Sequence, residues 1–237
     1  MSEKSKLPRS ADSKREVADF LSKVSSLAPR GAGEGRGRLI FALDATASRQ
    51  PTWDSAMALQ AEMFQVTSQL GGLEVQLAYY RGFGEFQASD WEKDGEGLLR
   101  RMTAVSCLAG KTQIVKVLRH ALKETSKKRV GALVFVGDSM EEDIDSLGHL
   151  AGKLGLVGLP CFLFHEGADP IAQRAFEQVA RLSGGACCSF DARSAQELRD
   201  LLSAVAVYAA GGRRALSDFS KQRGGAVLKL THQMRSS

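Results

Sequence analysis

Five oxygen-bearing side chains sit next to the regular stretches of this 237-residue sequence. Asp44, Thr46 and Ser48 follow the apolar run RLIFAL within the segment DATAS. Thr112 closes AGKT just before an amphipathic stretch, and Asp138 follows ALVFVG. Two carboxylates and three hydroxyls are all hard oxygen donors, with no nitrogen or thiolate among them. Such a set suits Mg²⁺ or Mn²⁺ rather than zinc or copper. With few direct carboxylates the ion stays under-neutralised, and a carboxylate from outside can complete its shell.

These residues act together only if the chain brings them to one place, and the order of elements does so. RLIFAL (38–43), LEVQLAYY (73–80), ALVFV (132–136), PCFLFH (160–165) and ACCSF (186–190) are short apolar runs, the mark of strands buried on both faces. Between them, apolar residues recur at helical spacing: Ala56, Leu59, Met63, Val66 and Leu70; Ile114, Val117, Leu118, Ala121 and Leu122; Ile144, Leu147, Ala151 and Leu154; Ile171, Ala175, Val179 and Leu182; and finally Leu198, Leu201, Leu202 and Val205. RGFGEFQAS reads as an antiparallel edge hairpin. Strands alternating with amphipathic helices give an α/β class, a doubly wound, mostly parallel central sheet flanked by helices. Ligands in such sheets bind beyond the carboxyl ends of the strands, where Asp44 and Asp138 fall.

Composition excludes several classes. With 43% hydrophobic and 25% charged residues, 24 glycines and 5 prolines, the chain is neither collagen-like, coiled-coil nor wholly disordered. No apolar run is long enough to span a bilayer. The net charge of +5 is unevenly spread. Residues 1–38 carry nine basic and five acidic residues, and 212–237 carry six and one, whereas 39–211 hold 17 bases and 21 acids and are net −4. Nucleic-acid binding is therefore a property only the basic ends could add. The expected organisation is a basic segment over 1–37 with one amphipathic helix (Val17, Phe20, Leu21, Val24), a domain over 38–211 and a basic tail over 212–237. Cys107, Cys161, Cys187 and Cys188 show no CxxC spacing. That usage, with no secretory signal at the start, places the chain in the reducing cytoplasm.

DATAS, AGKT and VFVGD, in that order and on those elements, resemble the von Willebrand factor A (VWA) domain with its metal-ion-dependent adhesion site (MIDAS). The family pattern is a strand-terminal DxSxS, a later Thr at a helix start and a later Asp ending a strand; Thr46 here replaces the middle serine. The resemblance covers roughly 38–210. It implies a Rossmann-like fold and a protein-binding module that is not an enzyme. Thr46 and Ser48 would contact Mg²⁺ (or Mn²⁺) directly, Thr112 directly or through water, and Asp44 and Asp138 largely through water. A partner protein's Asp or Glu would take the open position. Intracellular relatives work beside AAA+ ATPases or other assembly machinery, which makes such a protein the implied partner.

The same residues allow other readings. Thr46, Ser48 and Thr112 could be helix caps, and Asp138 could cap a helix over 141–156 opened by Glu141, Glu142 and Asp143; the domain would then be a metal-free VWA scaffold. Asp44 could be the nucleophile of a Mg²⁺-dependent haloacid-dehalogenase-like phosphatase, with GDSMEED as its acidic motif, but Thr46 stands where the general acid belongs. A P-loop at Gly110-Lys111-Thr112 lacks its first glycine, since Val105 stands there. His165, beside Glu166, lies near the binding edge and reads chiefly as a structural histidine. The glycine-flanked Phe83 sits near the rim, where it is either a partner-reading aromatic or part of a hairpin turn.

Overall fold

The computed structural model describes residues 36–190 and 195–222. The amphipathic segment expected around 17–24, and the tail beyond 222, lie outside the described residues. Six strands form one sheet: β1 (Gly37–Asp44), β2 (Leu73–Arg81), β3 (Glu85–Glu92), β4 (Ala132–Gly137), β5 (Cys161–Glu166) and β6 (Ala186–Phe190). Their spatial order is β3-β2-β1-β4-β5-β6. Every pairing is parallel except β2 with β3, the hairpin at the edge. The expected doubly wound α/β class is what the chain adopts.

Six α-helices cover the sheet among the described residues: α1 (Gln50–Thr67), α2 (Gly95–Thr103), α3 (Ile114–Lys127), α4 (Ile144–Leu156), α5 (Pro170–Ser183) and α6 (Ala195–Gln222). The strand pleat sends alternate residues to two cores. Leu39, Phe41 and Leu43 of β1 join Trp53 and Met63 of α1, Leu98 and Met102 of α2, and Leu202 and Val205 of α6 on one face. Ile40 and Ala42 join Val117 of α3, Leu147 of α4 and Phe176 of α5 on the other. Both faces of β1, β4 and β5 are thus buried, which explains why these strands read as unbroken apolar runs.

Three local features depart from the pattern read in the sequence. Helix α2 was not expected, because its nine residues show only Leu98 and Met102 as core anchors; Asp94 caps it, accepting from Gly97 N–H at 2.8 Å. Helix α4 starts at Ile144, not at 141, with Asp143 as its cap. Helix α6 continues through a kink at Gly212 (φ 68) to Gln222 and returns the buried Leu216 to the core. Cys187 and Cys188 point to opposite faces, as strand alternation requires. Burial pushes the Cys161 thiol up to about 12, so it packs as a small hydrophobe. Among the described residues, no helix is long and apolar enough to cross a membrane.

Candidate functional site

In this strand order the chain passes from β1 to β2 on one side and returns from β3 to β4 on the other, so β1 and β4 are the neighbours at which the winding reverses. Leu43 pairs with Val136 across that junction, which sets Asp44 and the Gly137-Asp138 turn side by side at its carboxyl end. After Asp44 the chain stays extended at Thr46 (φ −73, ψ 163), tightens into a 3₁₀ turn over Ala47–Arg49, and enters α1 with Pro51 in the first helical turn. That turn aims the hydroxyl-bearing residues back over the end of the sheet.

Asp44 lies beneath the site, 2% exposed. Its Oδ1 accepts from Thr46 N–H at 2.7 Å and its Oδ2 from the Tyr80 hydroxyl at 3.1 Å. Burial raises its carboxyl above the ordinary range and the Asp138 charge adds to this, against the lowering effect of the hydrogen bonds from Thr46 and Tyr80. Ser48 Oγ–H donates to Asp138 Oδ2 at 3.2 Å. Asp138 Oδ1 is buried and has no hydrogen-bond partner among the described residues. Thr112, 6% exposed, accepts from Glu141 N–H through its hydroxyl at 3.0 Å.

These groups surround a cavity of about 220 Å³ whose wall includes Thr46, Ser48, Thr112, Ser139 and Glu141. The structure therefore brings all five expected residues to one place, with hydroxyls on the wall and the two aspartates behind them. None of the hydroxyls serves as a helix cap: no side-chain cap bond forms at the 3₁₀ turn, α1 or α3. Nor does Asp138 cap α4, which uses Asp143. Among the described residues, no group of three or more His, Cys, Asp or Glu could hold a metal by itself. A cation here would depend on the hydroxyls, and the unpartnered Asp138 Oδ1 beside them fits one.

Arg49 was not singled out from sequence, and Glu142 takes a different place from the one expected. Arg49, 8% exposed, directs Nη2 to Asp138 Oδ2 at 3.0 Å and Nη1 to Glu166, whose carboxylate also accepts from Thr52. This buried guanidinium neutralises the side of Asp138 that faces away from Oδ1. Glu142 accepts from the N–H groups of Ile114 and Val115 (2.9 Å for Val115), so a residue expected in the following helix instead closes the start of α3. His165 is fully buried, with Nε2 at 3.2 Å from Asp138 O and its ring edge-on to Phe176. Burial lowers its pKa, and its place is structural. The adjacency of Arg49 to Ser48 was visible in the sequence; its partner Glu166, 117 residues away, was not.

No protein-family model matches the chain, and no curated protein matches it by sequence. Solved structures match it in fold. The SpRpn10 VWA domain aligns with a TM-score of 0.54 at 16% identity, over 70% of this chain and 94% of that one. Proximal thread matrix protein 1 from the mussel byssus, solved with a zinc-occupied MIDAS motif, gives 0.54 at 14% over 73% of this chain and 48% of that one. The pilus adhesin SpaC from Lactobacillus rhamnosus GG, in an open conformation, gives 0.58 at 9% over 81% and 31%. This chain spans about half or less of the latter two. The shared feature is the VWA-type fold.

Proposed function

We propose that this chain is a protein-binding module, not an enzyme, which captures an acidic side chain of a partner through a divalent metal, Mg²⁺ or Mn²⁺, held by Asp44, Thr46, Ser48, Thr112 and Asp138. The observation that carries this reading is the buried Asp138 Oδ1, unpartnered among the described residues, beside a cavity whose wall carries the hydroxyls of Thr46, Ser48, Thr112 and Ser139. A bound cation would supply a coordination position for an incoming carboxylate. The chain's own residues do the rest. Ser48 and Arg49 fix Asp138 Oδ2 and so orient Oδ1; Tyr80 and the Thr46 amide hold Asp44; Glu141 N–H orients the Thr112 hydroxyl. Both Asp44 oxygens are engaged, which suits a positioning role better than a phosphatase nucleophile. A cytoplasmic location and a partner in AAA+ or other assembly machinery belong to the same proposal, on analogy of fold.

The guanidinium of Arg49 favours one competing reading, a metal-free scaffold in which that side chain is the resident cation. Thermal unfolding in EDTA and then in Mg²⁺ or Mn²⁺ separates the two. At a metal concentration one hundred times Kd, the expected gain is about 2.7 kcal/mol, lost in Thr46→Val, with no release of phosphate from a generic phosphomonoester. No response to either metal selects the scaffold, and turnover abolished by Asp44→Asn selects the phosphatase.

A further inference from the structure

We propose that the β2–β3 turn and the loop before α3 form an apolar shelf that reads a large hydrophobic side chain within one or two residues of the captured carboxylate. The partner is then an acidic segment with an adjacent apolar residue. This rests on the metal-dependent capture proposed above and names what that site selects.

Phe83, at the tip of the turn, is 83% exposed. A lone exposed apolar residue is ordinary, but this tip is fixed onto the wall of the cavity. Lys111 N–H donates to Gly82 O at 3.1 Å, Gln113 Nε2 to Arg81 O at 3.2 Å and to Gly82 O at 3.3 Å, and Lys116 Nζ to Gly84 O at 2.6 Å. Gly110, which lines the cavity, runs so close to the turn that a Cβ there would lie 2.0 Å from Gly82 O. Leu108, 46% exposed, lies on the same loop, and its N–H donates to Ala45 O at 3.0 Å, one residue beyond Asp44. Phe83 and Leu108 therefore stand one residue away from Gly82, which packs on the cavity wall, and from Ala109, which lines it, on a backbone held by these hydrogen bonds, so little backbone conformational entropy remains to be lost on contact. Aromatic residues in such settings are the usual anchors of interfaces.

Charge points to the same occupant. Arg81 is paired with Glu85 at 2.9 Å, and Lys116 is used by Gly84 O and Gln113 Oε1. Lys111, exposed between the shelf and Thr112, has no ion pair among the described residues. Glu141 on the cavity wall carries the opposite charge, so the attraction for an acidic segment lies on the Lys111 side, where the apolar contact is made. An extended peptide advances about 3.3 Å per residue, so a side chain one or two positions from the captured acid reaches from the cavity onto the adjoining turn.

The test is selection of a phage-displayed heptapeptide library, with a fixed central Asp or Glu, on the full chain in Mg²⁺. Large apolar residues should be enriched within two positions of the acid. A synthetic peptide of the selected sequence should bind Phe83→Ala at least about tenfold more weakly than wild type, with Leu108→Ala weakened in the same direction. The Mg²⁺-induced stabilisation of the unliganded Phe83→Ala chain should be unchanged. Selected peptides without apolar enrichment, no selected peptides at all, or equal binding by Phe83→Ala would each overturn the shelf. If the Mg²⁺ response of the chain persists in those cases, metal capture stands without it. Binding that ignores both EDTA and replacement of the central acid overturns the metal-capture reading instead.

Discussion

Arg49→Met is expected to destabilise the chain by about 3–5 kcal/mol, because it leaves two carboxylates without their buried counter-charge. The methionine fills a similar volume, so the loss is electrostatic rather than a cavity. Arg49, Glu166 and Asp138 have side chains only 9%, 10% and 24% exposed, too little water contact to solvate the charges left behind. Urea unfolding of Arg49→Met, Glu166→Gln and the double variant checks this: the double variant should be more stable than the two single losses added together. Strict additivity would mean the pair is not coupled. The variant also separates two roles for the guanidinium. If Arg49 stands beside a metal site, removing it should enlarge the stabilisation by Mg²⁺, since the freed Asp138 and Glu166 gain most from a cation. If Arg49 is itself the cation of a metal-free scaffold, Mg²⁺ will leave the wild-type chain unchanged and can act only on the variant, whose carboxylates are freed.

Gly110→Ala is the second large effect. A Cβ at this position would meet Gly82 O at 2.0 Å and Gly82 C at 2.4 Å, both backbone atoms that cannot rotate aside. The β2–β3 turn must separate from the loop before α3, breaking the Lys111 N–H to Gly82 O bond and moving one wall of the cavity. The expected cost is about 1–3 kcal/mol, together with loss of the Mg²⁺ response. Gly185→Ala is the control. Its Cβ would approach Cys161 O at 1.9 Å, at the opposite end of the sheet. It should destabilise as much and keep the response to Mg²⁺. Equal metal responses in the two variants would show that the wall at Gly110 does not shape the site.

The sequence was most legible where a residue's role depends on its own element. The apolar runs located all five parallel strands; in β1, β4 and β5 burial on both faces leaves no polar alternation to confuse with a helix. Asp44 and Asp138 could be placed at one edge because strand ends in this fold share a side. Partners that lie far apart along the chain were not legible. Arg49 sits next to Ser48 in the sequence, yet its function depends on Glu166, which meets it only after two further crossovers. Glu142 was assigned to the helix that follows it, since acidic residues favour helix starts; it serves the start of α3 instead, while Asp143 alone caps α4. Helix α2 escaped notice because a short amphipathic element with two core anchors has too little periodicity to stand out from a loop.

The most direct measurement is paramagnetic broadening by substoichiometric Mn²⁺ in the amide spectrum of the isotopically labelled full chain. The signals of residues 45–48, 110–112 and 138–141 should broaden first, recover with excess Mg²⁺ or EDTA, and stay sharp in Thr46→Val. Broadening confined to other parts of the chain, or unchanged in Thr46→Val, would contradict a metal held by these hydroxyls and the adjoining aspartates.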